Sequence, residues 1–232
     1  MACILHIETS TDVCSVAVSA DGACIHYDET REPQAHARIL APFVRDALSF
    51  ADNHAIPVDA VSVSIGPGSY TGLRIGLSTA KGVCYGRNIP LITIPTLQLL
   101  CVSSLLQERV PEGALLCPMI DARRMEVYAA VYDRALREVR PAAADIVEAG
   151  TYDDFLNEHD VYFLGNGSEK CHDVLTHPRA HFIEQQVPLA KYMFPLAEKA
   201  FLRGQFADTA YSVPFYLKQF VAGKPKNLLQ KP

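Results

Sequence analysis

Two stretches of this chain repeat one order of strands and turns, and no other feature limits the fold as much. The first, ACILHIETSTDVCSVAVSADGACIHYDET, begins at residue 2. ILHI is a strand and Glu8-Thr9-Ser10-Thr11-Asp12 a polar turn. VCSVAVS alternates as a second strand, Asp21-Gly22 is a hairpin signal, and ACIHYDE is a third strand. The second stretch, ALLCPMIDARRMEVYAAVYDRALREVRPA, again has an apolar strand ending in an acid, Asp121. A short basic turn and the alternating strand MEVYAAVY follow, then the turn Asp133-Arg134 and a third strand. Further on, DVYFLGNGSEK echoes DAVSVSIGPGSYT: an acid, a strand, then a Gly-x-Gly-Ser turn into a helix.

The pattern reads β-β-β-α-β-α twice. Its period of roughly 110 residues is too long for a solenoid repeat and fits a duplicated α/β lobe. The lobes are placed at 1–108 and 109–232, and 232 residues are ample for a buried core. Helices are expected at 36–52 (behind Pro33), 73–87, from Thr96, and at 190–204, ending at Gly204. The last of these is expected to pack back on the first lobe, and the tail from about 221 is Gly/Pro/Lys-rich and loose. Facing lobes make a cleft, with Glu8 and Asp121 at matching strand ends, where α/β sheets gather ligand sites. Acids at such ends also serve merely to close turns.

Charge and cysteines bound the function classes. With 21 basic and 26 acidic residues the net charge is −5, so on average the chain lacks the basic surface that tight nucleic-acid binding usually needs, which leaves room only for a local basic patch. The seven cysteines are odd in number and none has C-x-x-C spacing. No secretory leader opens the sequence and no apolar run suits a membrane span. Together these point to a reducing cytoplasm, with the cysteines as small buried residues.

The turn in VSVSIGPGSYTGLRIG (61–76) admits three readings. As a phosphate cradle it lacks the Walker Lys-Ser, having Leu73-Arg74 after Gly72. As a nucleophile elbow it has Pro67 and Thr71 where small residues should flank Ser69. The third reading is a turn that starts a close-packing helix. Gly72, Gly76, Ala80 and Cys84 recur every four positions and form a strip that another helix can approach. Helix 36–52 has an apolar arc of roughly 200°, against the ~100° that serves one core. The same helix carries His36 but Leu40 four residues on, so the paired histidines of a helical metal site are absent, and no metal is expected.

These motifs resemble a known family. The layout is similar to the actin, hexokinase and Hsp70 ATPase superfamily (the ASKHA fold). IETSTDVCSVAVSADG, VSVSIGPGSYTGLRIGLSTAKGVCYGRNIPLITIPTLQLL, IDARRMEVYAAVYD and PFYLKQ resemble the TsaB (YeaZ) family. The resemblance implies a role in making N6-threonylcarbamoyladenosine in tRNA, as a non-catalytic scaffold that activates a paralogous transferase, TsaD. The transferase moves threonylcarbamoyl from threonylcarbamoyl-AMP to the adenosine next to the anticodon. It implies a heterodimer with TsaD, joined by the ATPase TsaE, a homodimer when alone, and tRNA met only through the complex. The older names, glycoprotease-like or M22 peptidase homologue, come with it.

The family's helix bundle places the partner interface on His36, Ile39, Leu40, Phe43, Val44, Ala47, Phe50, Gly72, Leu73, Gly76, Ala80 and Cys84. The motif loop is Gly66, Pro67, Gly68, Ser69, Tyr70, Thr71, Gly72 and Arg74. On this reading Gly76→Leu or Phe43→Asp weakens pairing and leaves the monomer folded. A vestigial nucleotide cleft falls on Glu8, Thr9, Ser10, Asp121, Arg123, Gly165 and Gly167, with room for weakly held or interface-bound ADP or ATP and no tightly bound cofactor. The rival reading is an ATP-dependent phosphotransferase or ATPase in that cleft. A peptidase ranks last, for want of a metal motif or triad.

Overall fold

A computed structural model describes residues 2–107 and 110–218. The lobe boundary at 108/109 and the basic tail 221–232 lie outside the described residues.

The first half runs β1 (Ile4–Glu8), β2 (Cys14–Ala20), β3 (Ala23–Thr30), α1 (His36–Asn53), β4 (Ala60–Gly66), α2 (Tyr70–Arg87), β5 (Leu91–Pro95) and α3 (Thr96–Gln107). The second runs β6 (Leu115–Asp121), β7 (Glu126–Tyr132), β8 (Glu138–Ile146), α4 (Asp153–Leu156), β9 (Val161–Leu164), β10 (Ala180–Ile183) and α5 (Phe194–Leu202). The sheets have orders β3-β2-β1-β4-β5 and β8-β7-β6-β9-β10. Each is therefore 3-2-1-4-5 in its own half. In both, the first three strands are antiparallel and the last two join in parallel.

Local chemistry sets these elements. Asp21 and Gly22 take φ +52 and +76, the two left-handed positions of a tight hairpin. β1 lies at the centre of its sheet and is buried along its whole length. Alternation sends Leu5 and Ile7 to the α1/α2 side and Ile4 to the α3/α5 side. Helix α3 is apolar all round because it sits between the sheets. Its Leu97, Leu100 and Cys101 meet Leu116, Ile120 and Leu164, while Leu99 and Val102 meet Ile92 and Ile94. Met193, Leu196 and Ala197 also pack on Ile4, Ala60, Ile92 and Ile94 of the first sheet.

Two helices differ from expectation. After Gly167 there is only a 3-10 turn, Glu169–Cys171. Just Cys171, Val174 and Leu175 of that stretch reach the core, too few for the apolar stripe of a longer helix. The helix expected at 190–204 is a 3-10 turn, Ala190–Tyr192, followed by α5 from Phe194. Pro195 has no N–H to give and is accommodated in the first turn of α5.

Candidate functional site at two equivalent turns

The GPGSYTG turn docks on the end of β1. Ser69 caps α2, its Oγ accepting from the Gly72 N–H at 3.2 Å. The Ser69 N–H donates to the Ser10 carbonyl at 2.7 Å, and Thr9 Oγ1 donates to the Gly72 carbonyl at 2.8 Å. The glycines are contact residues. A Cβ on Gly68 would lie 2.3 Å from the Ser10 carbonyl oxygen, and one on Gly72 2.0 Å from that of Thr9. Gly66, at φ +118, is covered by the C-terminal segment: the Phe215 N–H donates to Ile65 O at 2.7 Å, and a Cβ on Gly66 would meet Phe215 O at 2.5 Å. Tyr216 completes that cover, receiving a hydrogen bond from Arg74 Nε at 3.1 Å and packing on Tyr70. Pro67 is buried and Thr71 exposed.

Glu8, Thr9 and Ser10 are all fully buried beneath this turn. Glu8 Oε1 accepts the Ser10 N–H at 2.5 Å. Burial raises the Glu8 pKa to about 7, against the pull of hydrogen bonds from Ser10, Ser64 and Thr9. Two residues back on β1, His6 bonds Ser62 Oγ at 2.6 Å and Ser19 Oγ at 2.7 Å. Burial lowers its pKa to about 3, which keeps the ring neutral. The first turn is thus closed by its own helix, and the expected vestigial phosphate loop at Glu8, Thr9 and Ser10 is corrected to a packed joint.

The strip expected to meet a partner helix needs the same correction. Gly72, Gly76, Ala80 and Cys84 are buried inside the chain, as are His36, Leu40, Val44, Ala47 and Leu73. Thr9 occupies the space beside Gly76, where a Cβ would lie 2.2 Å from its Oγ1. Gly76→Leu would therefore disrupt the fold and cannot report on pairing alone. Of the interface residues named from sequence, Ile39, Phe43 and Phe50 remain half-exposed. Two residues missed by that reading are more open: Tyr85 on α2, 88% exposed, and Tyr211, 84% exposed. α1 and α2 are clamped at one end by Arg87, whose two terminal nitrogens donate to Asp52 at 2.9 and 2.6 Å.

The equivalent turn after β6 is open. Asp121 is exposed and paired with Lys170, whose Nζ also donates to the Glu126 carbonyl at 2.6 Å. Glu126 in turn pairs with Lys218. The turn is held by Ala122 N–H to Glu126 O (3.0 Å), Glu126 N–H to Arg123 O (3.2 Å) and Arg123 N–H to Asp121 Oδ1 (3.0 Å). Gly165 and Gly167 pack on β6 rather than facing a cavity. Their Cβ positions would lie 2.3 Å from Met119 O and 2.8 Å from Ile120 C. The cavity beside this turn, about 610 Å³, is lined by Arg123 and not by Glu8, Thr9 or Ser10. It is not a shared two-carboxylate cleft.

All seven cysteines are free, and all but Cys24 are buried. Burial pushes the thiols of Cys3 and Cys84 up to about 11 and that of Cys14 up to about 12, far from nucleophilic use near neutral pH. Among the described residues no helix is long and apolar enough to cross a membrane.

Two mixed sheets of one strand order, each with its ligand-side turn at the end of the first strand, define the actin, hexokinase and Hsp70 class of α/β fold. Within it, residues 31–226 match the profile of the family described as "TsaD: tRNA N6-adenosine threonylcarbamoyltransferase". The tRNA threonylcarbamoyladenosine biosynthesis protein TsaB of Escherichia coli (strain K12) is 29% identical over 95% of this chain and 96% of its own. The protein of that name from Bacillus subtilis (strain 168) is 31% identical over 70% of each chain. The solved structure of YeaZ from Pseudomonas aeruginosa is 29% identical, with TM-score 0.77 over 94% of this chain and 100% of that one. The chain belongs to the TsaB (YeaZ) family.

Proposed function

We propose that the chain is a non-catalytic subunit that pairs with a TsaD-type transferase and supports threonylcarbamoyl transfer to the adenosine next to the anticodon. Membership of the TsaB family carries the coarse part of this, a role in tRNA threonylcarbamoyladenosine biosynthesis. The observation that carries the finer part is the outer surface of the first half. α1 and α2 satisfy their own core with one face each, and leave Ile39, Phe43 and Phe50 half-exposed and Tyr85 open. Tyr211 and Val213, 84% and 70% exposed, extend the apolar surface beyond α2, against which Lys81 holds the Ala210 carbonyl at 2.9 Å. Aromatic residues held on a rigid helix pair suit a protein interface. The same surface would serve a homodimer when the partner is absent. The ATPase TsaE joins this assembly in the proposal.

An ATPase reading needs Glu8 and Asp121 on one metal ion. Glu8 is sealed under α2, and Asp121 is engaged by Lys170. The deciding experiment is reconstituted threonylcarbamoyl transfer to tRNA with the chain present or left out, beside size-exclusion with the transferase. Dependence of transfer on the chain, with co-elution, is expected. Transfer at full rate without it, or no co-elution, overturns the proposal.

A further inference from the structure

The cavity beside the β6 turn has a composition that scaffolding does not explain. Arg123 and Arg124 line it, with Lys218 and Glu126 at one side and Met125 and Ile146 supplying apolar surface. Four cations (Arg123, Arg124, Lys170 and Lys218) face two carboxylates (Asp121 and Glu126) here. Each carboxylate is paired with a lysine, and among the described residues no ion pair engages either arginine. The local balance is positive on a chain of net charge −5.

Backbone geometry fixes where the arginines stand. Arg123 and Arg124 take φ +74 and +50, consecutive left-handed positions that glycine fills more readily. Three hydrogen bonds within the turn hold them there. Those bonds also engage the N–H groups of Ala122, Arg123 and Glu126, so these are not available to cradle a terminal phosphate. Two guanidinium forks beside an exposed isoleucine remain, a surface suited to a phosphodiester and the sugar or base next to it.

We propose that the Arg123–Arg124 turn is an RNA-backbone contact, through which this chain touches the tRNA itself. The inference rests on the tRNA-modification reading for the identity of the RNA. It departs from the expectation that tRNA is met only through partner chains. A free nucleotide shares the phosphate chemistry, and the experiment separates the two.

The test is direct binding of tRNA to the full chain by fluorescence anisotropy, across roughly 50 to 300 mM salt. The proteins are wild type, Arg123→Gly/Arg124→Gly, Arg123→Lys/Arg124→Lys, and Arg203→Ala as a control on the last helix. Glycine suits the left-handed backbone, so the double glycine variant keeps its fold, which circular dichroism checks. Loss of two phosphate contacts should lower affinity about tenfold to twentyfold near physiological salt and reduce the log–log salt slope by about 1.5. The lysine pair should recover most of the slope, and Arg203→Ala should match wild type. Equal affinity and slope in the glycine variant overturn the inference, and so does the absence of measurable tRNA binding by wild type. Loss of ATP binding in the glycine variant with tRNA binding intact also overturns it, and marks a free-nucleotide site. The transfer assay is run alongside. Transfer that needs the chain while tRNA affinity ignores the arginines fails the inference alone. Arginine-dependent tRNA binding without any need for the chain in transfer fails the functional reading alone.

Discussion

The turn after β1 and the turn after β6 stand at the same place in two sheets of the same strand order: each of these strands ends in an acid, and the Gly-containing turn after the neighbouring strand, β4 or β9, packs against it. In the first half the acid is buried and a long helix closes over it. In the second the acid is exposed and two arginines follow. The cause lies in the helices. α2 has eighteen residues and approaches Thr9 and Ser10 through Gly68, Gly72 and Gly76, leaving no space at the turn. Its counterpart is a three-residue 3-10 turn that leaves Asp121 exposed. Duplicated topology has therefore not preserved duplicated chemistry: one turn is a packed structural joint, the other is exposed at the surface.

The largest effect should come from breaking the joint. Gly72→Ala places a methyl 2.0 Å from the Thr9 carbonyl oxygen, a backbone atom that cannot move without displacing β1. The expected cost is about 3 kcal/mol or more, at the severe end of overpacking. Gly167→Ala in the other half meets Ile120 C at 2.8 Å and should cost less, about 1–3 kcal/mol. Urea denaturation midpoints of the two variants rank the joints. A milder loss for Gly72→Ala than for Gly167→Ala would reverse the comparison.

Next in size is a pH effect confined to the first half. Glu8 has its pKa raised from 4.5 to about 7, so the unfolded chain gives up the proton first. Its contribution is fully present below pH 4.5 and is lost as pH rises through 7. His6 does the opposite: with its pKa lowered from 6.5 to about 3, stability is present above 6.5 and is lost as pH falls towards 3. The two slopes cancel between 4.5 and 6.5. Glu8→Gln keeps the oxygen that accepts from Ser10 and removes the ionisable proton. In that variant stability should climb with pH through this window at about 1.4 kcal/mol per unit, and exceed wild type by about 2–3 kcal/mol at pH 8. A Glu8→Gln profile that parallels wild type would mean that the carboxyl is not held in the protonated form.

Smaller again is the effect of the outer face. Tyr85 is almost wholly exposed, so Tyr85→Ala should leave stability within about 0.5 kcal/mol. It should weaken pairing with the transferase about tenfold, as loss of an aromatic anchor does. The second half cannot supply such a face from α4, which has four residues. Sedimentation or titration calorimetry reads the pairing, and an unchanged affinity would move the interface away from α2.

Much of this was legible in the chain. Alternating strands, the Asp21-Gly22 hairpin and the acid-ended apolar runs located both sheets, because strand period and turn chemistry are local signals. The spacing of Gly72, Gly76, Ala80 and Cys84 showed that something approaches α2 closely. It could not show whether that something belongs to another chain, and here it is Thr9 together with the chain's own core. The Lys170–Asp121 and Lys218–Glu126 pairs join residues far apart in sequence, with no periodicity to announce them. The cover of Gly66 by Phe215 likewise left only the PFYLKQ motif as a trace. β10 was missed because a four-residue run such as AHFI carries too little pattern.

The smallest effect on stability is expected at the second acid, and it sharpens the contrast most. Asp121 is exposed and its pair with Lys170 is of the kind worth at most about 1 kcal/mol, so Asp121→Asn should cost less than that. The amide keeps an oxygen to accept from the Arg123 N–H, so the turn retains its shape. What changes is charge. Lys170 loses its carboxylate, and the positive balance around the cavity rises by one. If the turn contacts RNA, tRNA affinity should increase about twofold to threefold, more at low salt than at high. A metal-dependent ATPase would instead lose its activity in the same variant. One substitution therefore pulls the two readings in opposite directions: tighter tRNA binding with no change in stability favours an open polyanion site, and loss of metal-dependent ATP turnover would restore Asp121 to the role its superfamily position suggests.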